Sequence, residues 1–301
     1  MRSDAALAGV ELPEPREPTP EELFLLDALR EERRQRRAGS EGGVRGRHLR
    51  RAVLTMVHDE AVFLPIWLRY YSRFFAPDDI YVLDHDSSDG STEPGGFVRI
   101  PVSRDSVDRL WMLRTVEAQQ RELLGSYDAV LVTDVDEIVA PRPERGTLGD
   151  YIDALDEEFV NCLGYEIIHM VNREPPFDPS RRVLEQRGHW FPNAAYNKPA
   201  LTTEPCRWDP GFHGREDGRK HLDPDLLMIH LHRMDYEICL DRHRERRSHP
   251  WGERDLREGW GRHNRIVDGA EFARWFYTEN TFDELQPLEV QPIPAAWRGL
   301  F

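Results

Sequence analysis

Short apolar runs alternate with helical patterns along residues 51–140. The runs 52–57, 80–83 and 129–132 are almost entirely apolar, which is typical of strands buried on both faces of a sheet. Between the first two runs, apolar side chains recur every fourth residue, as on one face of a helix, at Val62, Ile66, Tyr70 and Phe74. A longer helix is predicted over roughly 106–124. This alternation predicts an α/β fold with a mostly parallel central sheet and helices on both faces.

Residues 1–50 have a different pattern. The proline- and glutamate-rich stretch 13–22 is typical of an unpacked arm. Thr19 and Pro20 indicate the start of a helix over 21–37. The end of that helix, REERRQRR, is interpreted as a solvated face, with docking to an acidic partner or a lipid surface as the alternative.

The second half of the chain contains two segments with strand patterns. Residues 164–171 alternate apolar and polar side chains, which predicts an edge strand with Glu166 and His169 on different sides. The apolar segment LLMIHLHRMDY follows at 226–236. Strand alternation places His230 and His232 of this segment on one face, at a spacing compatible with metal ligation.

The charge balance excludes several classes of protein. Lysine and arginine number 40 and aspartate and glutamate 55, so the formal net charge is −15. A chain this acidic is not expected to bind nucleic acid, because a phosphate backbone attracts positive charge. No apolar stretch reaches the roughly 18 residues of a membrane span. Asp4 and Glu11 occupy the region where a secretory signal would be apolar, so we expect a cytoplasmic protein.

The cysteines suggest no covalent or metal framework. There are three of them, an odd number without a CxxC pair. Cys162, Cys206 and Cys239 are therefore expected to be small buried apolar residues.

All three apolar runs of the first half end in carboxylates. Asp59 and Glu60 follow the first run, the loop 84–92 follows the second, and Asp134 and Asp136 follow the third. In parallel α/β sheets, ligands bind beyond the carboxyl ends of the strands. This coincidence is the main functional signal of the sequence.

The Asp134–Asp136 pair is a candidate metal site. Residues two apart in an extended chain point the same way, so both carboxylates would face one site. Close carboxylates repel each other unless they are protonated or bind a cation, and oxygen ligands suit Mg²⁺ or Mn²⁺. Such an ion can stabilise a diphosphate as a leaving group. The DxD pattern alone is weak evidence, and the loop 84–92 is either a simple Asx-turn or a nucleoside-binding loop.

Three segments together resemble a known family. VLTMVHDE, IYVLDHDSSDGST and DAVLVTDVDEIV are similar to the nucleotide-sugar signatures of family 2-like glycosyltransferases. The resemblance covers about residues 51–140 and continues weakly to about 245. It implies the GT-A (nucleotide-diphospho-sugar transferase) fold, a nucleoside-diphosphate sugar as donor, and Mn²⁺ or Mg²⁺ as cofactor.

The resemblance assigns nucleoside contacts to the first two strand ends. It places Asp84, with help from Asp86, at the nucleoside, and Asp59 and Glu60 near the base. Asp59 and His85 stand where the family usually has asparagine. The identity of the base therefore stays open.

The resemblance also assigns the metal and the diphosphate. Asp134 matches the acid that reaches the ribose or a metal-bound water, and Asp136 matches the acid that ligates the metal. Lys198 is similar to a lysine near the diphosphate, with a solvent-exposed lysine as the alternative. His230 and His232 are both candidates for the late histidine that completes the metal site.

The catalytic base is assigned by proximity in sequence. An inverting sugar transfer needs a carboxylate that takes the proton of the acceptor hydroxyl. Asp217 and Asp235 are the candidates, because each lies near the predicted donor-binding histidines in the chain.

The sequence thus predicts a metal-dependent glycosyltransferase with an inverting mechanism and an unidentified glycan, lipid or protein acceptor. One alternative is a non-catalytic sugar-nucleotide or glycan-binding protein of the same fold. The other is a metal-dependent nucleotidyltransferase, although the chain contains no GK[ST] phosphate loop. The oligomeric state stays open.

We expect three parts in the chain. Residues 1–50 form an N-terminal arm and a charged helix, partly flexible. Residues 51–245 form the glycosyltransferase-like domain, in which 51–140 bind the nucleotide sugar and 141–245 bind the acceptor. Residues 246–301 form a C-terminal extension packed on that domain.

Overall fold

The computed structural model describes residues 7, 10, 12–39, 48–279 and 288–301 of the 301-residue chain. Its strands are β1 (Arg51–Val57), β2 (Ile80–His85), β3 (Val98–Val102), β4 (Ala129–Val132), β5 (Glu137–Pro141), β6 (Phe159–Ile168), β7 (His189–Pro192), β8 (Leu201–Thr202), β9 (Leu222–Arg233) and β10 (Gln291–Pro292). Its α-helices are α1 (Pro20–Gly39), α2 (Phe63–Tyr71), α3 (Arg109–Leu123), α4 (Leu148–Asp153), α5 (Tyr236–Ser248), α6 (Glu253–Arg257) and α7 (Gly269–Thr278).

The strands form one mixed sheet in the order β10-β7-β6-β8-β4-β1-β2-β3. β3, β2, β1 and β4 run parallel, whereas β8 is antiparallel to both β4 and β6. β9 leaves this path, running parallel to β6 and antiparallel to β5. The predicted α/β architecture, a central sheet flanked by helices, is confirmed. Parallel pairing joins β1 to β4 and also β6 to β9, and the other pairs among the described strands are antiparallel.

Both faces of β1 are buried, as its apolar sequence predicts. Val53 and Val57 belong to the core cluster that includes α2, whereas Ala52 and Leu54 belong to the cluster that includes α3. Successive side chains of a strand point to opposite faces, so the two helices cover opposite sides of the sheet. The carboxyl ends of β1, β2 and β4 consequently meet at one edge, where the acidic segments lie.

Helix α1 begins where the sequence predicts and packs along β9. Thr19 Oγ1 accepts a hydrogen bond from the N–H of Glu22 (3.2 Å), and the Glu22 carboxylate accepts one from the N–H of Thr19 (2.6 Å), which is a capping box. Arg30 donates to a carboxylate of β9, and Arg33 binds the fully buried Asp223. The charged end of the helix is therefore only partly solvated.

The described part of the N-terminal arm is packed against the C-terminal segment. The N–H of Arg16 donates to the carbonyl of Val290 (2.8 Å), and its guanidinium pairs with Glu289 (2.9 Å). The prediction of an unpacked arm is wrong for these residues. Most of residues 1–11 and all of residues 40–47 lie outside the described residues.

Strand β6 is an interior strand, so the prediction of an edge strand at 164–171 is wrong. It pairs with β7 and β8 along one side and with β9 along the other. The polar side chains that suggest a solvent face are buried against polar partners. Glu166 accepts from Asn193 (3.1 Å), and His169 Nδ1 accepts from the N–H of Tyr236 (3.1 Å).

Three further features concern the cysteines, the C-terminal segment and the length of the helices. Cys162, Cys206 and Cys239 are buried and free. Phe301, near the end of the C-terminal extension, is buried against Tyr70 of α2 with ring centroids 5.8 Å apart. Within the described ranges, no helix has the length and apolar character needed to cross a bilayer.

Candidate functional site

A cavity of about 370 Å³ opens at the carboxyl ends of β1, β2 and β4, and β9 and α5 also contribute side chains to it. Of the eleven residues singled out from the sequence, eight line this cavity: Asp59, Glu60, Asp86, Asp134, Asp136, Lys198, His230 and His232. Three lie elsewhere: Asp84, Asp217 and Asp235. The parallel strands β1, β2 and β4 bring their acidic ends together. The pairing of β9 with β5 adds His230 and His232, up to about 170 positions away in the chain.

The two aspartates of the DxD pattern lie in a turn and not in extended chain. The N–H of Glu137 donates to the carbonyl of Asp134 (3.0 Å), which closes the turn between β4 and β5. The Asp134 side chain is half-exposed, whereas Asp136 is buried. Both carboxylates line the cavity, but the same-side geometry expected of an extended chain is wrong.

Lys198 is buried between two carboxylates, which excludes the solvent-exposed alternative. Its Nζ lies 2.8 Å from Asp134 and 2.5 Å from Glu137. Burial alone would lower the pKa of Lys198, but the two carboxylates raise it, so the ammonium group stays charged. Burial raises the pKa of Glu137 to about 7. The cavity therefore keeps a fixed positive charge beside Asp134.

Asp136 lies beside two parallel imidazole rings. His230 and His232 share one face of β9, as predicted, with ring centroids 5.6 Å apart and planes 4° from parallel. His230 Nε2 and His232 Nδ1 each lie 3.5 Å from Asp136 Oδ2. One ligand atom from each of the three buried side chains lies within 4.8 Å of the others. This cluster fits a single divalent cation.

The chemistry of the cluster narrows the choice of cation. One carboxylate and two imidazoles suit Mn²⁺, Zn²⁺ or Fe²⁺ better than Mg²⁺, which prefers oxygen ligands. A ligating imidazole must be neutral. Burial holds the pKa of His232 well below its usual value. Burial would also lower the pKa of His230, but Asp136 and Glu166 raise it to about 9, so His230 must lose a proton to bind a metal.

Arg242 of α5 is a central residue that the sequence analysis missed. Its guanidinium binds both Asp136 Oδ2 and Glu60 Oε1, and its Nη1 lies 3.3 Å from His232 Nδ1. Burial alone would lower the pKa of Arg242, but the two carboxylates raise it. The guanidinium thus contacts the same carboxylate oxygen that both histidines face.

Two further arginines, Arg109 and Arg246, line the cavity. Burial lowers the pKa of Arg109, and burial together with the neighbouring Arg242 lowers the pKa of Arg246 to about 10. Glu60 Oε1 lies 4.0 Å from Arg246 Nη2, beyond hydrogen-bond distance. Cations that burial disfavours are stabilised by an anionic ligand. The one available sequence signal is the spacing of Arg242 and Arg246, which places them on one helix face.

Local backbone strain is concentrated at the same cavity. In the described part of the chain, the non-glycine residues with positive φ are Asp59 (51°), Asp86 (56°) and Phe212 (61°), and all three line the cavity. The left-handed region is unfavourable for L-residues, less so for aspartate than for phenylalanine. Asp59 is held in place because its carboxylate accepts from the N–H groups of Ser88 (2.6 Å) and Asp89 (3.0 Å). Strain of this kind clusters at functional sites.

Comparison with known proteins gives a distant likeness to solved structures. No protein-family model matches the chain, and no curated protein matches it. The chain is similar to a solved mannosyltransferase from Pyrobaculum calidifontis in complex with GDP-Man and Mn²⁺. Identity is 15%, 73% of this chain and 69% of that chain are covered, and the TM-score is 0.38. A likeness of this degree identifies neither an activity nor a substrate.

Asp84 lies behind the cavity and organises the loop that follows β2. It accepts a hydrogen bond from Thr92 Oγ1 (2.9 Å) and pairs with Arg99 (2.5 Å). Burial would raise the pKa of Asp84, but these hydrogen bonds, together with those from Ser87, lower it. The carboxylate is therefore committed to the loop, and Asp86 is the residue of this segment that reaches the cavity.

The two residues predicted as catalytic bases also have other partners. Asp217 is partly exposed and pairs with Arg215 (2.8 Å) and Arg219 (2.9 Å). Asp235 is buried, caps the first turn of α5 and pairs with Arg187 (3.0 Å). Because neither side chain lines the cavity, the geometry does not favour the base role, which stays a prediction for both.

Proposed function

We propose that the protein is a metal-dependent glycosyltransferase that moves a sugar from a nucleoside-diphosphate sugar to an acceptor. The observation that carries this proposal is the composition of one cavity. A cluster that fits a divalent cation lies there beside Arg109, Arg246 and Lys198. A diphosphate needs both kinds of partner, since cations and guanidinium groups bind its oxygens from different sides. The three segments that resemble sugar-nucleotide signatures all end at this cavity.

Different side chains of the cavity would bind different parts of the donor. Asp136, His230 and His232 would hold the cation, with Mn²⁺ preferred to Mg²⁺ because of the two imidazoles. When bound, the ion would stabilise the negative charge that develops on the leaving diphosphate. Arg109 and Arg246 would contact phosphate oxygens, whose negative charge would offset the burial that lowers the pKa of both guanidinium groups.

The nucleoside is assigned to the ends of β1 and β2. Asp59, Glu60 and Asp86 line the cavity there and offer carboxylate oxygens to ribose hydroxyls or base N–H groups. The loops that carry Asp59 and Asp86 are fixed by their own hydrogen bonds, the latter through Ser103 Oγ (2.7 Å). Little ordering is therefore needed when the nucleoside binds.

An inverting transfer also needs a base within the cavity. Glu245 lines it from α5, and partial burial, reinforced by the nearby Asp59, raises its pKa. A carboxylate with a raised pKa is a better proton acceptor at neutral pH. We assign the base role to Glu245, to be compared directly with Asp217 and Asp235. Replacement of the true base by glutamine or asparagine lowers turnover while donor binding is retained.

The experiment that tests donor binding is a thermal-shift panel of nucleoside diphosphates, each with Mn²⁺ and with EDTA. A ligand present at 100 times its Kd stabilises the folded state by about 2.7 kcal/mol, so the matching nucleotide should raise the melting temperature only with Mn²⁺. Asp136→Asn and, as a less buried second variant, Asp134→Asn should weaken this response. Asp241→Asn, exposed on α5, is the matched control.

Two outcomes decide against the proposal. If no nucleoside diphosphate stabilises the protein with Mn²⁺, or if both aspartate variants respond as the wild type does, the cavity is not a metal-dependent donor site. Turnover then separates the alternatives. Release of nucleoside diphosphate from the matching sugar nucleotide indicates a transferase, its absence indicates a binding protein, and pyrophosphate release from a nucleoside triphosphate indicates a nucleotidyltransferase.

A further inference from the structure

The hydrogen bonds of His243 fix where its proton lies. His243 is fully buried on α5, between Phe272 and Trp275, with ring centroids 5.1 and 4.8 Å away. Its Nδ1 lies 3.0 Å from the carbonyl oxygen of Ile266. A carbonyl only accepts, so Nδ1 carries a hydrogen. In the neutral ring with its hydrogen on Nδ1, Nε2 has the lone pair.

The contact with His243 indicates where the hydrogen of the His232 ring lies. Its Nε2 lies 2.9 Å from Nε2 of His243. Since the His243 nitrogen is the acceptor, His232 Nε2 must be the donor, which leaves the lone pair of His232 on Nδ1. Nδ1 is the atom that lies 3.5 Å from Asp136 Oδ2, in the cluster that fits a cation.

Arg242 indicates the same position for the hydrogen of His232, from the other side of the imidazole ring. Its Nη1 lies 3.3 Å from His232 Nδ1. A guanidinium has only donors, so the His232 atom that it faces must be an acceptor. The contacts with His243 (2.9 Å) and Arg242 (3.3 Å) agree on one tautomer of His232, with the hydrogen on Nε2. Asp136 Oδ2 is the opposing acceptor, and it lies farther from Nδ1, at 3.5 Å.

We propose that His243 is a positioning residue of the cation site. The two hydrogen bonds that link the Ile266 carbonyl to His243, and His243 to His232, direct the lone pair of His232 Nδ1 towards Asp136. This inference rests on the cation site of the proposed function. Partners of this kind set the tautomer and the ring orientation of metal-binding histidines, and their loss typically lowers metal affinity about 10–100-fold. His230 has a different partner, because its Nδ1 faces the carboxylate of Glu166 (3.1 Å).

A rival arrangement uses the same residues. His232, Cys239 and His243 also lie close enough together to hold an ion. In that case His243 would be a ligand and not a positioning residue, and Cys239 would be required. The two arrangements therefore make opposite predictions for Cys239→Ala.

The test uses the full-length protein and has a readout that needs no metal. Nitrogen-15 chemical shifts of the histidine rings, measured in EDTA, should show His232 protonated on Nε2. His243→Phe keeps the aromatic packing but removes the acceptor, and should weaken Mn²⁺ binding about 10–100-fold by calorimetry. His243→Gln can supply an amide oxygen as acceptor and should bind Mn²⁺ within a few-fold of the wild type. Cys239→Ala should bind as the wild type does.

Each contrary result overturns the positioning role. His232 protonated on Nδ1 in the wild type, His243→Phe with unchanged Mn²⁺ affinity, or Cys239→Ala with strongly reduced affinity would each do so. If His243→Phe does not fold, the tautomer in the wild type and the response of His243→Gln still decide. A wild type with the expected tautomer and Mn²⁺ affinity, but no response to nucleotides, would sink the proposed function and leave the positioning role intact.

Discussion

Replacing Arg242 with glutamine should destabilise the metal-free protein strongly. The guanidinium is the cation shared by Asp136 and Glu60, whose side chains are only 5% and 11% exposed. Removing one partner of a buried ion pair typically costs about 3–5 kcal/mol, because the other charge stays buried without compensation. For a chain of this size, each kcal/mol corresponds to about 2 °C in melting temperature. We therefore expect a loss of about 6–10 °C in EDTA.

Mn²⁺ should restore much of this loss in the variant. In the wild type a metal ion must compete with the guanidinium for Asp136 Oδ2, whereas in Arg242→Gln that oxygen is free. Binding at 100 times Kd contributes about 2.7 kcal/mol, or about 5 °C by the same conversion. The increase caused by Mn²⁺ should consequently be larger in the variant than in the wild type at the same concentration.

Differential scanning calorimetry of the full-length protein, with EDTA and with Mn²⁺, measures both effects. Arg244→Gln is the matched control, since this arginine lies on the same helix in a half-exposed pair with Asp241. Such pairs contribute about 0–1 kcal/mol, so its melting temperature should stay within about 2 °C. The reasoning is refuted if Arg242→Gln melts like the control in EDTA, or if Mn²⁺ raises the variant and the wild type equally.

Two further predictions concern pH and the N-terminal helix. Because the pKa of His230 is raised to about 9 in the folded protein, its protonated form stabilises the metal-free fold below about pH 6.5, and this contribution is lost as the pH rises to 9. Mn²⁺ needs the neutral ring, so its affinity should rise with pH over that window by calorimetry, and a flat profile would contradict the assignment. Arg33→Met leaves the buried Asp223 without its guanidinium and should cost about 3–5 kcal/mol in urea unfolding. Adding Asp223→Asn to Arg33→Met should recover part of the lost free energy of unfolding. If the losses of the two single variants are strictly additive in the double variant, the two side chains are not directly coupled.

Local sequence patterns were sufficient to predict the strands whose carboxyl ends line the cavity. The bounds of β4 agree with the apolar run 129–132, and β1 covers 52–57. These strands are buried on both faces, so their apolar pattern is continuous and easily recognised. The carboxylates that follow them line the cavity because parallel strands end at one edge.

The functional residues that the sequence patterns did not reveal are those whose role depends on partners far away in the chain. Arg242 binds a carboxylate 106 positions away in the chain, and its own segment is a charged run that resembles a solvated helix. The pattern at 164–171 is misleading for a related reason. It shows that Glu166 is polar but not that buried Asn193 and His230 satisfy its carboxylate. The geometry likewise does not favour the base assignment by proximity in sequence, since Asp235 is a helix cap and does not line the cavity.

The pairing of β5 with β9 determines how the site can be divided. Glu137, the first residue after the DxD turn, is paired in register with His230. A shift of one residue would turn both histidines of β9 to the other face of the sheet. A gene fragment that encoded only residues 51–140 would keep all three signature segments, yet it would lack Lys198, both histidines and Arg242. A match to the three signature segments in a sequence search therefore does not show that the site is complete, because these other side chains come from the rest of the chain.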